Sequence, residues 1–226
     1  MDPREPDRAA RPCAPGPQPR MADIEHYLRI SERIPGWTRA EEAVELARAS
    51  FSLDRRAVIV EIGSFLGSGT VLLAGPRKIR GSGLVHAVDP FDCSGDAFSV
   101  PYYEEIMKAA GGGSLRERFD ENIRQAGLDQ WVVAHEGRAS AVAASWTLAV
   151  DLLFLDGDQS RSGAREAYAS WLPFLRPGTI IALHNSSPNN HTPGHDGHRC
   201  LVEEEVHAPR YTDIRLVRGT TFARKT

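Results

Sequence analysis

Ala57-Val-Ile-Val-Glu-Ile-Gly-Ser-Phe-Leu-Gly-Ser-Gly-Thr70 is the stretch on which the fold turns. Residues 57–62 are a short, mostly apolar and β-branched run, which reads as a strand buried on both faces. Gly63, Gly67 and Gly69 follow, and the segment then opens a helix. Glycine permits positive φ and close backbone approach. The unpaired N–H groups of a helix start favour an anionic ligand group. Working outward, similar apolar runs predict strands at 84–88, 131–134, 151–155 and 179–183. Helices are expected from Thr38, with Glu41 completing a capping box, and over 114–126, 140–146 and 163–175. The helix over 114–126 places Leu115, Phe119, Ile123 and Ala126 on one face, and Gly127 closes it. Pro177-Gly178 stops the helix over 163–175. Segments 211–217 and 220–223, around Gly219, read as a closing hairpin. This alternation predicts an α/β fold: a doubly wound, seven-stranded, mostly parallel sheet with helices on both faces.

Composition narrows the function classes. The chain has 226 residues, a formal net charge of −3, 41% hydrophobic and 25% charged residues. That suits one soluble domain over 21–226, and no apolar run approaches the ~20 residues of a membrane span. The charge balance argues against nucleic-acid and anionic-membrane partners, which favour a basic face. Cys13, Cys93 and Cys200 lack CxxC spacing, so neither a disulfide framework nor a zinc site is expected. Reduced thiols and the absence of a signal-like apolar segment point to the cytoplasm. Residues 1–20 carry six prolines and read as a disordered Pro/Arg-rich tail, with Met21 an alternative start.

The glycine spacing is GxxxGxG, whereas a dinucleotide pyrophosphate loop expects GxGxxG. Asp89 ends the second strand 20 positions after Gly69, where an acid commonly accepts from a ribose diol. A strand-one E-x-G-x-x-x-G-x-G with an acid ending strand two resembles the class I methyltransferases. The resemblance implies S-adenosylmethionine as cofactor. Glu61, Gly63, Ser64, Gly67, Gly69 and Thr70 would then shape the methionine pocket, and Asp89 would hold the ribose. Later segments agree. Gly137-Arg138-Ala139-Ser140 resembles an adenine-side loop. Asp151-Leu-Leu-Phe-Leu-Asp156-Gly-Asp158-Gln159-Ser resembles D-L-L-F-[IL]-D-G-D-H-S, and Trp171-Leu-Pro-Phe-Leu-Arg-Pro-Gly178 resembles W-x-P-x-L-x-P-G. These motifs are similar to those of a group that includes antibiotic sugar and aminoglycoside methyltransferases.

Two departures bear on metal use. Gln159 stands where relatives often carry His, and His184-Asn185 where they often carry His-Asp or Asp-Asn. Metal-dependent relatives bind Mg2+ through carboxylates, so no metal is expected; if one were held, Asp156 and Asn185 would be its ligands. Ala139 also replaces a frequent Ser in the adenine loop. Ligands of an open parallel sheet sit beyond the carboxyl ends of its strands. Asp156 and His184 fall there as the expected catalytic pair, His184 as general base at its ordinary pKa near 6.5. Asp158 and Asn185 are expected to touch the acceptor, as are Asp92, Asp96, Tyr102 and Tyr103 of the acidic, aromatic loop after strand two. The acidic loop tilts the acceptor toward an amine, such as an aminosugar or aminoglycoside intermediate, with N- or O-methylation open. Residues 186–197, with His191, His195, Asp196 and His198 nearby, read as a lid rather than a metal site. Glu203–Glu205 reads as a solvated helix face. The competing classes are a metal-dependent sugar or catechol-type O-methyltransferase, a nicotinamide-dependent oxidoreductase and a non-catalytic S-adenosylmethionine-binding protein. A homodimer is expected only on the general frequency of two-fold assemblies.

Overall fold

The computed structural model describes residues 21–226, so the expected tail at 1–20 and Cys13 lie outside the described residues. After a 3-10 turn, Met21–Ile24, the elements run α1 (Glu25–Arg33), α2 (Ala40–Ser52), β1 (Val58–Ile62), α3 (Ser68–Arg80) and β2 (Leu84–Asp89). There follow α4 (Val100–Ala109), α5 (Leu115–Gln125), β3 (Val132–Glu136), α6 (Ala139–Ala143), β4 (Val150–Leu155) and α7 (Arg161–Trp171). The chain ends with β5 (Leu175–Leu183), α8 (Gly197–Glu205), β6 (Tyr211–Val217) and β7 (Thr220–Lys225). The sheet order is β3-β2-β1-β4-β5-β7-β6, and only β7 runs antiparallel to its neighbours.

Strand side chains alternate between two cores, as the pleat requires. Ile59, Val85, Leu152, Phe154 and Ile180 face α1, α2, α3 and α5. Val60, Ile62, Leu153, Leu155 and Ile181 face α6, α7 and α8, where Trp171 is fully buried. Because consecutive residues serve opposite layers, β1, β4 and β5 read as continuous apolar runs.

Several expected boundaries move. Helix α2 is capped at Arg39, whose N–H donates to Glu42 Oε1 at 3.3 Å, so the pair is Arg39/Glu42 and not Thr38/Glu41. Thr38 is instead turned into the sheet-end cavity. Helix α6 is shorter than expected, ending at Ala143. Helix α7 starts at Arg161 under a Ser160 cap and stops at Trp171, and Leu172–Phe174 form a 3-10 turn. Strand β5 therefore begins at Leu175, with Pro177-Gly178 inside it. Proline cannot donate to the ladder and Gly178 has φ +94°, so the register slips here: Leu175 pairs Val150, but Ile180 pairs Leu152.

One buried cation closes the α2 side. Arg77 on α3 has no exposed surface and donates to Ser50 O (2.6 Å), Leu53 O (3.3 Å), Asp54 O (3.0 Å) and Ser82 O (2.9 Å). It satisfies carbonyls that the end of α2 leaves free. Arg77→Met should lower unfolding stability by about 3 kcal/mol, because carbonyls lose charged donors. Urea denaturation would show this as a lower midpoint with an unchanged slope.

Candidate active site

The sheet changes direction of growth between β1 and β4, and a cavity of about 580 Å3 opens at the carboxyl ends of these strands. The glycine loop forms its floor. Gly63 has φ +86°, and a Cβ there would lie 2.4 Å from Gly157 Cα, so the loops leaving β1 and β4 touch backbone to backbone. Gly69 is required for a different reason: a Cβ would meet Glu61 Oε1 at 2.4 Å. The Thr70 hydroxyl donates to Glu61 Oε2 at 2.5 Å. Burial raises the Glu61 carboxyl to about 7 against that bond, and Asp89 adds to the rise. Gly67 and Thr70 do not line the cavity; Gly67 caps α3 with φ +92°.

Asp89 ends β2 and accepts from the N–H groups of Phe65 (2.9 Å) and Phe91 (2.6 Å). Burial nonetheless pushes its carboxyl above the ordinary value. Gly137, Arg138 and Ala139, at the start of α6, line the same end, as does Ser64. Asp156 and Asp158 after β4, and His184 and Asn185 after β5, also line the cavity. Asp156 is raised well above its ordinary value by burial and by the charges of Glu61 and Glu42, with Thr38 opposing. Thr38 Oγ1 bridges Asp156 Oδ2 and His184 Nδ1, at 3.5 Å from each. Gln159 Nε2 reaches Asp156 Oδ1 at 3.5 Å, while its buried Oε1 has no partner and Gln159 lines the cavity.

His184 departs from its expected chemistry. Only 2% of its surface is exposed, and its Nδ1 also lies 3.4 Å from Thr220 Oγ1. Burial, with His198 and His195 nearby, lowers it to about 3. The ring is neutral and a poor proton acceptor, so the ordinary pKa near 6.5 does not apply.

Two expected acceptor contacts are absent from the cavity wall. Asp92 is exposed and accepts from the Ser94 N–H at 2.8 Å. Asp96 is buried and turned into a loop junction. Its Oδ1 accepts from Phe98 N (3.1 Å), Ser99 N (3.0 Å) and His195 Nδ1 (3.1 Å). Its Oδ2 accepts from Ser99 Oγ (2.9 Å) and Gln159 N (3.2 Å). The Asp92 carboxylate is spent on its own turn, and that of Asp96 on joining three loops. Tyr102 and Tyr103 do line the cavity.

Sequence reading missed an aromatic mouth. Trp37 packs on Phe65 and Tyr103, and Phe98 on Tyr102 and His195, with ring centroids 4.6–5.7 Å apart. Asn190, Thr192 and His195, from the loop before α8, complete the wall. Asn190 Nδ2 ties that loop by donating to Asn185 O (2.8 Å) and His195 O (3.0 Å).

Mg2+ does not fit these residues. Among the described residues no group of three or more His, Cys, Asp or Glu is placed to hold a metal ion. The Asn185 amide is turned to His195, and the Asp156 carboxyl is shared between Thr38 and Gln159. The loop cluster His191, His195, Asp196 and His198 gathers no metal-ligating set either, and Asp196 is held by Arg161 and Arg199.

The fold is similar to that of solved methyltransferases. One is the O-methyltransferase from Bacillus cereus in complex with SAH, with 18% identity over 90% of this chain and 91% of that one, TM-score 0.59. Another is the O-methyltransferase TomG from Streptomyces achromogenes in complex with SAM, with 18% identity over 90% and 89%, TM-score 0.59. A third is CalS11, the TDP-rhamnose 3'-O-methyltransferase of calicheamicin biosynthesis, with 16% identity over 90% and 94%, TM-score 0.52. A family model described as a methyltransferase domain matches residues 60–186, from β1 through the glycine loop and Asp156 to the end of β5. The chain belongs to this methyltransferase family.

Proposed function

We propose that the chain transfers the methyl group of S-adenosylmethionine to an oxygen of a small, hydroxyl-bearing ring compound. One observation carries this reading: a single cavity is lined by Glu61 and Asp89, by Asp156 and His184, and by an aromatic mouth. Gly69 leaves the Glu61 carboxyl uncovered, and the Thr70 hydroxyl that donates to that carboxyl is neutral. A buried acid of this kind suits an ammonium group. Asp89 is placed for ribose hydroxyls, and Gly137–Ala139 for the adenine edge. The cofactor would supply a methyl group on a sulfonium, ready for in-line displacement.

The rest of the work falls to positioning. Trp37, Phe98, Tyr102 and Tyr103 offer flat apolar faces, and Gln159, Asn185, Asn190 and Thr192 offer neutral hydrogen-bonding groups. That combination suits a sugar-like or phenolic ring. Asp92 and Asp96, whose acidity favoured an amine, do not face the cavity. Solved O-methyltransferases of the same fold are consistent with an oxygen acceptor. A second reading, N-methylation of an aminosugar or aminoglycoside intermediate, is favoured by the cavity's charge: Glu61, Asp89, Asp156, Asp158 and Glu166 against Arg138. We place the reaction in the cytoplasm; no helix among the described residues is long and apolar enough to cross a membrane.

Calorimetry with S-adenosylhomocysteine should show micromolar binding, and NADH none; preference for NADH would sink the cofactor assignment. Glu61 must lose its proton to pair with the ammonium. Its carboxyl is raised to about 7 in the free protein, so affinity should be present above pH 7 and fall below it. Between pH 8 and pH 6 the expected loss is about tenfold. Glu61→Gln should bind more weakly and lose this pH dependence. Incubation with S-adenosylmethionine and a panel of methyl glycosides, aminosugars and catechols should give a methyl ether by mass spectrometry. An N-methylated product would select the second reading.

A further inference from the structure

The proton that leaves the acceptor needs a base, and three candidates, His184, His198 and Asp156, are poorly suited to be it. His184 is shut between Thr38 and Thr220. His198 is 1% exposed and its Nδ1 donates to His184 O at 2.7 Å. Asp156 is held toward the neutral acid by burial and by Glu61 and Glu42, and its carboxyl is already engaged by Thr38 and Gln159.

His195 differs from all three. It lines the cavity, stacks on Phe98 with ring centroids 4.6 Å apart, and meets the Asp96 carboxylate through Nδ1 at 3.1 Å. An anionic carboxylate can only accept, so the neutral ring carries its proton on Nδ1 and its lone pair on Nε2. The Asn185 amide, 3.2 Å from Nε2, donates to that lone pair. The ring is thus fixed in orientation and tautomer by Asp96 from the loop after β2 and by Asn185 at the start of its own loop, the arrangement a carboxylate-backed base requires.

We propose that His195, oriented by Asp96, is the base that deprotonates the acceptor. The proposal rests on the methyltransferase reading above. An acceptor hydroxyl in the cavity takes the place of the Asn185 amide at Nε2. The O–H bond breaks as the Nε2–H bond forms. The oxygen bonds to the methyl carbon as the carbon–sulfur bond breaks, and that electron pair stays on sulfur as a neutral thioether. The imidazolium then returns its proton to water, so the positive charge of the sulfonium leaves as a proton.

The surroundings of His195 support one charge partner. Burial would raise Asp96, but the His195 contact and the Ser99 hydroxyl outweigh it and bring the carboxyl to about 2, so it stays ionised. His184 and His198 are lowered to about 3 and about 4 by burial and stay neutral. Burial likewise keeps the Tyr103 phenol on α4 neutral. Asp196, next in the chain, is engaged by Arg161 and Arg199 at 2.7 Å each.

The test uses the full chain labelled with 15N-histidine and saturated with S-adenosylhomocysteine. The His195 resonances, assigned by their loss in His195→Gln, should show a protonated Nδ1 and an unprotonated Nε2. Asp96→Asn should abolish that bias. With methyl rhamnoside, methyl glucosaminide and catechol as acceptor probes, His195→Ala should lower kcat by about 10²-fold, with KM and S-adenosylhomocysteine affinity within about threefold. Added imidazole should restore part of the rate. An Nε2-protonated ring overturns the proposal. So does a kcat within about threefold of wild type, or a parallel loss of S-adenosylhomocysteine affinity, which marks a merely structural role. Failure of the wild-type chain to bind S-adenosylhomocysteine is a separate result and overturns the methyltransferase reading itself.

Discussion

The loops that leave β1 and β4 pass each other without room for a side chain on Gly63, and much of the site follows from that contact. β1 and β4 are neighbours because the sheet grows one way through β2 and β3 and then the other way through β4 and β5. The crevice at that reversal brings together two acids from different strand ends, Glu61 and Asp156. Neither finds a cationic partner; Thr70 and Thr38 supply neutral hydroxyls instead. In a desolvated setting such acids drift toward the protonated form, and each raises the cost of ionising the other. The crevice is therefore both a shape and an electrostatic demand.

Asp96 plays the complementary part across the cavity. Its five donors come from its own loop, from Gln159 after β4 and from His195 before α8. Charge-assisted bonds of this kind are stronger than neutral ones. Three loops that need not agree in position are held together by one carboxylate. The wall that receives the acceptor is thus built on an anion held by five donors, whereas the wall that receives the donor is built on acids with fewer, neutral donors. Asn190 adds a second brace, binding the loop to Asn185 and to the His195 carbonyl. The lid expected from composition is a cross-linked segment.

What could be read in the sequence follows which interactions are local. All seven strands were legible: β1, β2, β4 and β5 because β-branched apolar runs report burial, β3 from a shorter run, and the largely exposed β6 with β7 because they flank Gly219 as a hairpin. So were the glycine loop, Asp89 and Asp156, because spacing and strand-end position fix them. α1 was not, since its buried face is Tyr27 and Ser31 rather than an apolar stripe. α8 hid behind a Pro/Gly/Asn-rich approach and a first turn of Gly197, His198 and Arg199, polar residues that the fold buries. Pro177-Gly178 looked like a helix stop and is a strand irregularity, because pairing to β4 overrides local preference. The largest misreading concerned charge. Asp92 and Asp96 looked alike in sequence, yet one is exposed and the other is a buried hub. His184 kept its ordinary pKa on paper and loses it in a dry shell of hydroxyls. Long-range packing decides such properties, and a single sequence does not display it.

The same packing gives the site a direction. Burial pushes His184 toward neutrality and Glu61, Asp89 and Asp156 toward protonation. A cation entering the crevice reverses the balance for the acids, which ionise when their charge is met. His184, already neutral, does not compete for that role. On the proposed reading the donor brings two positive groups, an ammonium and a sulfonium, and the product keeps only the first. The acidic lining then holds donor more strongly than product, so the chemistry itself weakens the grip that must be released before the next turnover. Arg138, the only Lys or Arg on the wall among the described residues, sits beside Gly137 and Ala139 at the start of α6. Its placement leaves the electrostatics of the crevice to the acids.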